Sequence, residues 1–106
     1  MPNLLFICSK NQWRSPTAEK LFKNHPDHQA RSAGTSVKSR KKINQKLIAW
    51  ADVVFVMERR HKQLLKQRFP SVVSERLVIV LEIEDNFHYG DGELIGILKE
   101  KLKDYL

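Results

Sequence analysis

The stretch NLLFICSKNQWRSPTAE, residues 3–19, decides the fold prediction. Its first five residues form a short apolar run before a polar loop, which is typical of a buried strand. A helix is predicted to begin with Ser15 as N-cap and Pro16 at the first helical position, and to end at about Asn24. Cys8, the only cysteine of the chain, therefore lies where the strand passes into the loop.

The rest of the chain continues this alternation of strand and helix. Further strands are predicted at QARSAG (29–34), DVVFVM (52–57) and RLVIVLEI (76–83), and further helices at 43–50, 58–68 and 91–103. This pattern predicts an α/β three-layer sandwich with a four-stranded, twisted parallel sheet and helices on both faces. In such a sheet, ligands bind at the carboxyl ends of the strands where the strand order reverses, and the loop after the first strand is expected there.

The length and composition limit the class of protein. The chain has 106 residues, so residues 1–106 are expected to form one domain. One cysteine allows no internal disulfide, and no apolar run approaches the 18 residues of a membrane-spanning helix. A cytoplasmic protein without contact with a membrane is therefore expected.

The charge balance favours anionic partners. Nineteen Lys and Arg residues against twelve Asp and Glu residues give a net charge of +7, with basic clusters at 38–42 and 59–62. Charge alone does not choose among nucleic acids, phosphorylated proteins and small phosphoesters, and such clusters also occur on ordinary solvated faces.

The loop after Cys8 has the properties of a phosphate site. Backbone N–H groups at a helix N-terminus, with the helix dipole, bind a phosphate and favour a thiolate, which makes Cys8 a nucleophile. The fork of Arg14 suits the equatorial phosphoryl oxygens, and Ser15 is expected to hydrogen-bond the sulfur. The predicted phosphate-binding residues are Ser9, Lys10, Asn11, Gln12, Trp13, Arg14 and Ser15.

With these residues, CSKNQWRSPTAE resembles the Cys-x5-Arg-Ser loop of the low-molecular-weight protein tyrosine phosphatases. The segments SAGT (32–35), ADVVFVM (51–57) and EDNFHYGD (84–91) follow in the family's order. The resemblance implies phosphomonoester hydrolysis, and protein tyrosine phosphatase activity in particular, on a phosphorylated protein or a small phosphoester, with phosphate or sulfate binding in the loop.

The resemblance also implies the roles of single residues. Cys8 would form a cysteinyl-phosphate, Arg14 would clamp the phosphate, Asn11 would shape the loop and Ser15 would stabilise the thiolate. Asp85 matches the general acid and base, because a loop carboxylate must protonate the leaving group and then deprotonate water. Asp91 is the alternative acid, although its position before an apolar periodicity favours a role as N-cap.

The chain departs from the family at several positions. Asn86 stands where proline usually follows the aspartate, Lys10 replaces a glycine, and Trp13 replaces a second cysteine. The segment 35–43 is also short, so we expect an open pocket flanked by Trp13 and by the aromatic residues at 87 and 89.

Three other functions remain open at this point. An arsenate reductase would use a similar loop but needs further cysteines, a phosphate carrier would need no acid, and a basic adaptor would bind nucleic acid or phosphoproteins through 38–42. The intact Cys, Arg and Ser argue against the adaptor and against nucleic acid as a partner. No cofactor is predicted, and the four histidines lack the spacing of metal ligands.

Overall fold

The computed structural model describes residues 2–105. Four strands are present: β1 (Asn3–Cys8), β2 (Gln29–Gly34), β3 (Val53–Val56) and β4 (Leu77–Val80). Five helices accompany them: α1 (Arg14–Phe22), α2 (Gln45–Trp50), α3 (Arg59–Arg68), α4 (Pro70–Ser74) and α5 (Gly92–Leu102). Among the described residues, none of these helices has both the length and the apolar character needed to cross a membrane.

The strands form one parallel sheet in the order β2-β1-β3-β4. β1 pairs with β2 from Asn3 opposite Gln29 to Cys8 opposite Gly34, and its other edge pairs with β3. After β1, the chain adds β2 along one edge of β1 and then crosses over to add β3 along the other edge. The strand order reverses at β1, so the loop after Cys8 lies at the switch point, as predicted.

Helices cover both faces of the sheet, and alternate side chains of β1 contact different layers. Leu4 and Phe6 belong to a core that α1 and α5 complete. Leu5 and Ile7 belong to a second core on the opposite face, completed by α2, α3 and α4. All four side chains are buried, which explains why the first strand is apolar without alternation. The predicted three-layer sandwich is confirmed.

The predicted start of the first helix is wrong by two residues. α1 begins at Arg14, Trp13 is its N-cap without a side-chain hydrogen bond, and Pro16 is the third helical residue. The Ser15 hydroxyl does not cap the helix because it is turned inward and hydrogen-bonds other buried side chains. Proline is tolerated at the third position because the N–H groups of the first turn have no partner within the helix. α1 ends at Phe22 rather than at Asn24.

Most other boundaries shift by one residue, β4 ends at Val80 rather than at 83, and the start of α2 and the segment after α3 differ further. Ile43 precedes α2, and Asn44 caps it by accepting a hydrogen bond from the backbone N–H of Leu47 at 2.9 Å. The segment after α3, for which no helix or strand is predicted, forms the additional short helix α4 with Pro70 at its start. Proline is favoured at that position because its fixed φ is already helical.

Gly34 lies at the end of β2, where the chain has no room for a side chain. A Cβ at this residue would lie 2.7 Å from the carbonyl oxygen of Ser9 and would overlap the side chain of Ser39. We predict that Gly34→Ala lowers the free energy of unfolding by about 1–3 kcal/mol, because the loop after β1 must move. Urea denaturation of both proteins measures this difference.

Gly96 provides the matched control for Gly34→Ala. It lies in α5, and a Cβ there would have no atom within 4 Å. Gly96→Ala is expected to raise the free energy of unfolding by about 0.5–1 kcal/mol, since alanine is the better helix former. If Gly34→Ala were as harmless as Gly96→Ala, the close approach of β2 to the loop would be wrong.

Candidate active site

The loop of residues 9–13 is held from outside by the segment that follows β2. The carbonyl oxygen of Ser9 accepts hydrogen bonds from the N–H of Ser36 at 2.9 Å and from the hydroxyl of Ser39 at 3.0 Å. The carbonyl oxygen of Lys10 accepts from the N–H of Arg40 at 3.2 Å. Because C=O and N–H point in opposite directions in a trans peptide, the N–H groups that follow these carbonyls point away from that segment. This is the orientation that an anion-binding loop requires.

Asn11 fixes the middle of the loop. It is fully buried and has a φ of 55°, a conformation that asparagine adopts more readily than most residues. Its side-chain amide donates to the hydroxyls of Ser15 and Ser32, each at 2.9 Å. The turn of the loop is thereby tied to both α1 and β2, which fits the loop-shaping role that the resemblance implies.

The sulfur of Cys8 lies 2.9 Å from the hydroxyl oxygen of Ser15, and both residues are buried. This hydroxyl already accepts a hydrogen bond from Asn11, so its own proton is available for another acceptor. The nearest alternative is the carbonyl oxygen of Ala33 at 3.4 Å, which is a poorer hydrogen bond. The Ser15 hydroxyl can therefore donate to a thiolate on Cys8.

Arg14 is 2% exposed, and one end of its guanidinium is anchored. One terminal nitrogen donates to the carboxylate of Glu58 at 2.6 Å and to the carbonyl oxygen of Ile83 at 2.8 Å. Its Nε lies 3.6 Å from a carboxylate oxygen of Asp85, which is an ion pair but too long for a hydrogen bond. The anchored end fixes the plane of the fork, and the other N–H groups remain for a ligand.

Glu58 and His61 connect this arginine to the loop. Burial raises the pKa of Glu58, but hydrogen bonds from Arg60 and Arg14 outweigh that effect and lower it to about 2. Glu58 is therefore a carboxylate at any physiological pH and keeps Arg14 in place. Its backbone N–H also donates to Nδ1 of His61 at 3.0 Å, within a capping box at the start of α3.

The ring of His61 is neutral. Burial, followed by the charges of Arg14 and Arg60, lowers its pKa to about 4. Since Nδ1 accepts a hydrogen bond, the ring proton lies on Nε2, which is 3.0 Å from the hydroxyl oxygen of Ser9 and donates to it. The sequence analysis did not assign Glu58 or His61 to the site. A signal was present, since Glu58 and a polar residue three positions later at a predicted helix start are typical of a capping box.

Asp85 follows β4 on a segment that continues along the sheet, where the N–H of Ile83 donates to the carbonyl oxygen of Met57 at 2.8 Å. Its side chain is half exposed. Together with Cys8 and Arg14 it borders a cavity of about 80 Å³, whose lining is Cys8, Ser9, Lys10, Gln12, Trp13, Arg14 and Asp85. The structure thus brings the predicted nucleophile, clamp and acid to one small cavity.

The neighbours of Asp85 only partly match the predicted pocket walls. Trp13 borders the cavity, and the ring of His88 contacts it edge-on with centroids 4.9 Å apart. Phe87, predicted as a wall, instead packs against the core between the sheet and α5, because that apolar surface would otherwise be exposed. Tyr89 lines a neighbouring groove rather than the cavity. The carboxylate of Asp91 accepts from the N–H groups of Glu93 and Leu94, so it acts as N-cap of α5.

Within residues 2–105, no three His, Cys, Asp or Glu side chains are arranged to hold a metal ion.

Comparison with known proteins finds similarity to one family in the first part of the chain. Residues 3–50 match the family model of the low molecular weight phosphotyrosine protein phosphatases. This match, over a little under half of the chain, agrees with the resemblance predicted from the loop. No curated protein matches the chain significantly in sequence. The match to the family model covers the loop, α1 and β2, whereas the segment with Asp85 lies beyond it.

Solved structures of such phosphatases share the fold over nearly the whole chain. The tyrosine phosphatase Wzb from Escherichia coli K30, in complex with phosphate, superimposes with a TM-score of 0.79 at 21% identity, covering 99% of this chain and 96% of that one. Wzb from Vibrio vulnificus, in complex with benzylphosphonate, gives a TM-score of 0.78 at 17% identity, with coverages of 98% and 96%. The YwlE arginine phosphatase from Geobacillus stearothermophilus gives a TM-score of 0.67 at 21% identity, covering 98% of this chain and 85% of that one.

Proposed function

We propose that this protein is a cysteine-dependent phosphatase that hydrolyses phosphomonoesters of proteins through a cysteinyl-phosphate on Cys8. The observation that carries the proposal is the cavity of about 80 Å³ in which Cys8, Arg14 and Asp85 meet. A pure phosphate carrier would not require the carboxylate at this place. An arsenate reductase would need further cysteines, and Cys8 is the only one in the chain.

In the first step, the thiolate of Cys8 attacks phosphorus and the bond from phosphorus to the leaving oxygen breaks. Arg14, held in its plane by Glu58, would bind two phosphoryl oxygens and stabilise the charge that they carry in the transition state. Protonated Asp85 would give its proton to the leaving oxygen, so that an alcohol or phenol departs instead of an oxyanion. The products of this step are a thiophosphate ester on Cys8 and an ionised Asp85.

In the second step, a water molecule attacks the same phosphorus on the side that the leaving group has vacated. The Asp85 carboxylate accepts a proton from that water, and the bond from sulfur to phosphorus breaks. The Ser15 hydroxyl, 2.9 Å from the sulfur, would donate to the thiolate as it reappears. Inorganic phosphate leaves, and the enzyme returns to its starting protonation state.

We propose phosphotyrosine as the substrate residue. Trp13 is 37% exposed beside the cavity, and His88 supports its ring from the side. An aromatic leaving group can stack against this indole, whereas a short serine side chain would not reach past it. Sulfate should bind as a phosphate analogue in the loop. A cytoplasmic location is also part of the proposal, since a catalytic thiol requires a reducing compartment.

Asp85→Asn tests the assignment of the acid. We predict that it lowers kcat for phenyl phosphate by about 10²-fold or more, because phenolate is a poor leaving group without a proton donor. The loss should be smaller for 4-nitrophenyl phosphate, whose leaving group needs little protonation. Steady-state kinetics with both esters at several pH values measure the difference.

Asp91→Asn is the matched control for Asp85→Asn. Asparagine caps a helix about as well as aspartate, so this variant should fold and keep the kcat of the unmodified protein for both esters. Equal activity of Asp85→Asn and the unmodified protein on phenyl phosphate would refute the role of Asp85. No hydrolysis of either ester by the unmodified protein would refute the phosphatase proposal itself.

A further inference from the structure

A second, larger concave surface lies next to the catalytic cavity. It has a volume of about 640 Å³ and shares Gln12 and Trp13 with the cavity, so the two are neighbours across these side chains. Beyond them, the wall of this surface includes Lys20, Lys23, Arg40 and Tyr89. We call it the basic groove. A substrate whose phosphate occupies the cavity must therefore extend past Trp13 either into solvent or into this groove.

The basic groove carries positive charge that the protein itself does not neutralise. The groove has one carboxylate in its lining, that of Glu19. This carboxylate forms an ion pair with the ammonium of Lys41 at 3.0 Å and accepts a hydrogen bond from the hydroxyl of Ser32. Burial raises the pKa of Glu19, but hydrogen bonds from Ser32 and Lys41 outweigh this and hold the pKa below its usual value. Within residues 2–105, Lys20, Lys23 and Arg40 have no carboxylate within ion-pair distance.

The groove also offers aromatic surface for a peptide. Trp13 is 37% exposed and Tyr89 is 49% exposed. The ammonium of Lys20 lies 5.6 Å from the centroid of the Tyr89 ring, so the cation and the ring face the same space. Partly exposed aromatic rings between cations suit a polypeptide with carboxylate side chains, because the rings can pack against its apolar atoms while the cations pair with its charges.

We propose that the basic groove binds acidic residues that flank the phosphorylated residue of a protein substrate. This proposal rests on the proposed phosphatase function and assigns a sequence preference to it. Residues in an extended peptide are about 3.3–3.6 Å apart, so Asp or Glu within a few positions of the phosphorylated residue would reach the groove across Trp13. The cavity would select the phosphorylated side chain, and the groove would select its neighbours.

The experiment compares three substrates and two pairs of substitutions. The substrates are a phosphotyrosine peptide flanked by Asp and Glu, the same peptide with Asn and Gln, and 4-nitrophenyl phosphate. Lys20→Gln with Lys23→Gln removes two groove charges, one from the exposed face of α1 and one from its C-cap. Lys46→Gln with Lys66→Gln is the control, because these exposed lysines lie on α2 and α3, which cover the opposite face of the sheet.

The groove variant should lose about 5- to 10-fold in kcat/KM for the acidic peptide, the size expected for two surface charge pairs. Its kcat/KM for the neutral peptide and for 4-nitrophenyl phosphate should stay unchanged, and 0.5 M NaCl should remove the preference of the unmodified protein for the acidic peptide. The control variant should keep that preference. Equal losses in both variants, or no preference in the unmodified protein, would overturn the proposal.

A binding measurement separates failure of the groove from failure of the phosphatase function. The acidic phosphopeptide is titrated into the Cys8→Ser protein, with and without the two groove substitutions, and fluorescence anisotropy reports its affinity. If the unmodified protein hydrolysed nothing but the groove substitutions still weakened binding, only the phosphatase function would fail. A groove that bound a single-stranded oligonucleotide and not the acidic peptide would overturn the assignment to protein substrates.

Discussion

Cys8→Ser is expected to lower kcat for aryl phosphate hydrolysis by at least about 10⁴-fold, the scale on which loss of a catalytic nucleophile acts. The substitution replaces a sulfur that can be ionised by a hydroxyl that cannot be ionised at neutral pH, so the covalent step is lost. Quench-flow with a radiolabelled ester should also show that the unmodified protein accumulates phosphate on its cysteine, and that the variant does not.

The loss must be separated from a folding defect, because Cys8 is buried against the core between the sheet and α1. Cys8→Ala serves this purpose, and calorimetric binding of inorganic phosphate should be retained in both variants if the loop is intact. Phosphate binding without turnover would assign the loss to the nucleophile. Turnover by Cys8→Ser within about tenfold of the unmodified protein would contradict the cysteinyl-phosphate mechanism.

The parts of the site that follow one another along the chain could be predicted from the sequence. Cys8, Arg14 and Ser15 lie within one loop and helix start, so their spacing alone indicates an anion-binding loop with a thiol. The central strand β1 could also be predicted, since an apolar run without alternation indicates burial on both faces. Residues that are close in sequence were therefore enough to predict most of the fold and about half of the site.

The parts that depend on distant contacts were not predictable in this way. Glu58 is 44 residues from Arg14, and His61 is 52 residues from Ser9, so only the folded sheet brings them together. For Ser15, the predicted hydrogen bond to Cys8 is present but the predicted N-cap role is wrong, because the hydroxyl cannot serve both partners and packing decides between them. A sequence pattern gives the chemistry of a residue but not which of two available partners it takes.

Arg14→Lys is the second large effect, with kcat for aryl phosphates expected to fall by about 10³-fold. Lysine keeps the positive charge but loses the planar fork that binds two phosphoryl oxygens at once, and arginines that stabilise phosphoryl transfer contribute factors of this size. The ammonium can still pair with Glu58, whose pKa is also lowered by the hydrogen bond from Arg60. Thermal unfolding monitored alongside the kinetics should therefore show a folded variant.

Arg76→Lys is the matched control, because it also removes a guanidinium that binds backbone, with Nε 3.1 Å from the carbonyl oxygen of Ile48. Arg76 precedes β4, at the end of the sheet opposite the cavity, so its replacement should lower stability but leave kcat unchanged. If Arg14→Lys lost only stability, as expected for Arg76→Lys, the arginine would be a structural anchor for Glu58 and Ile83. A fall in kcat at unchanged stability assigns its free N–H groups to the transferred phosphoryl group.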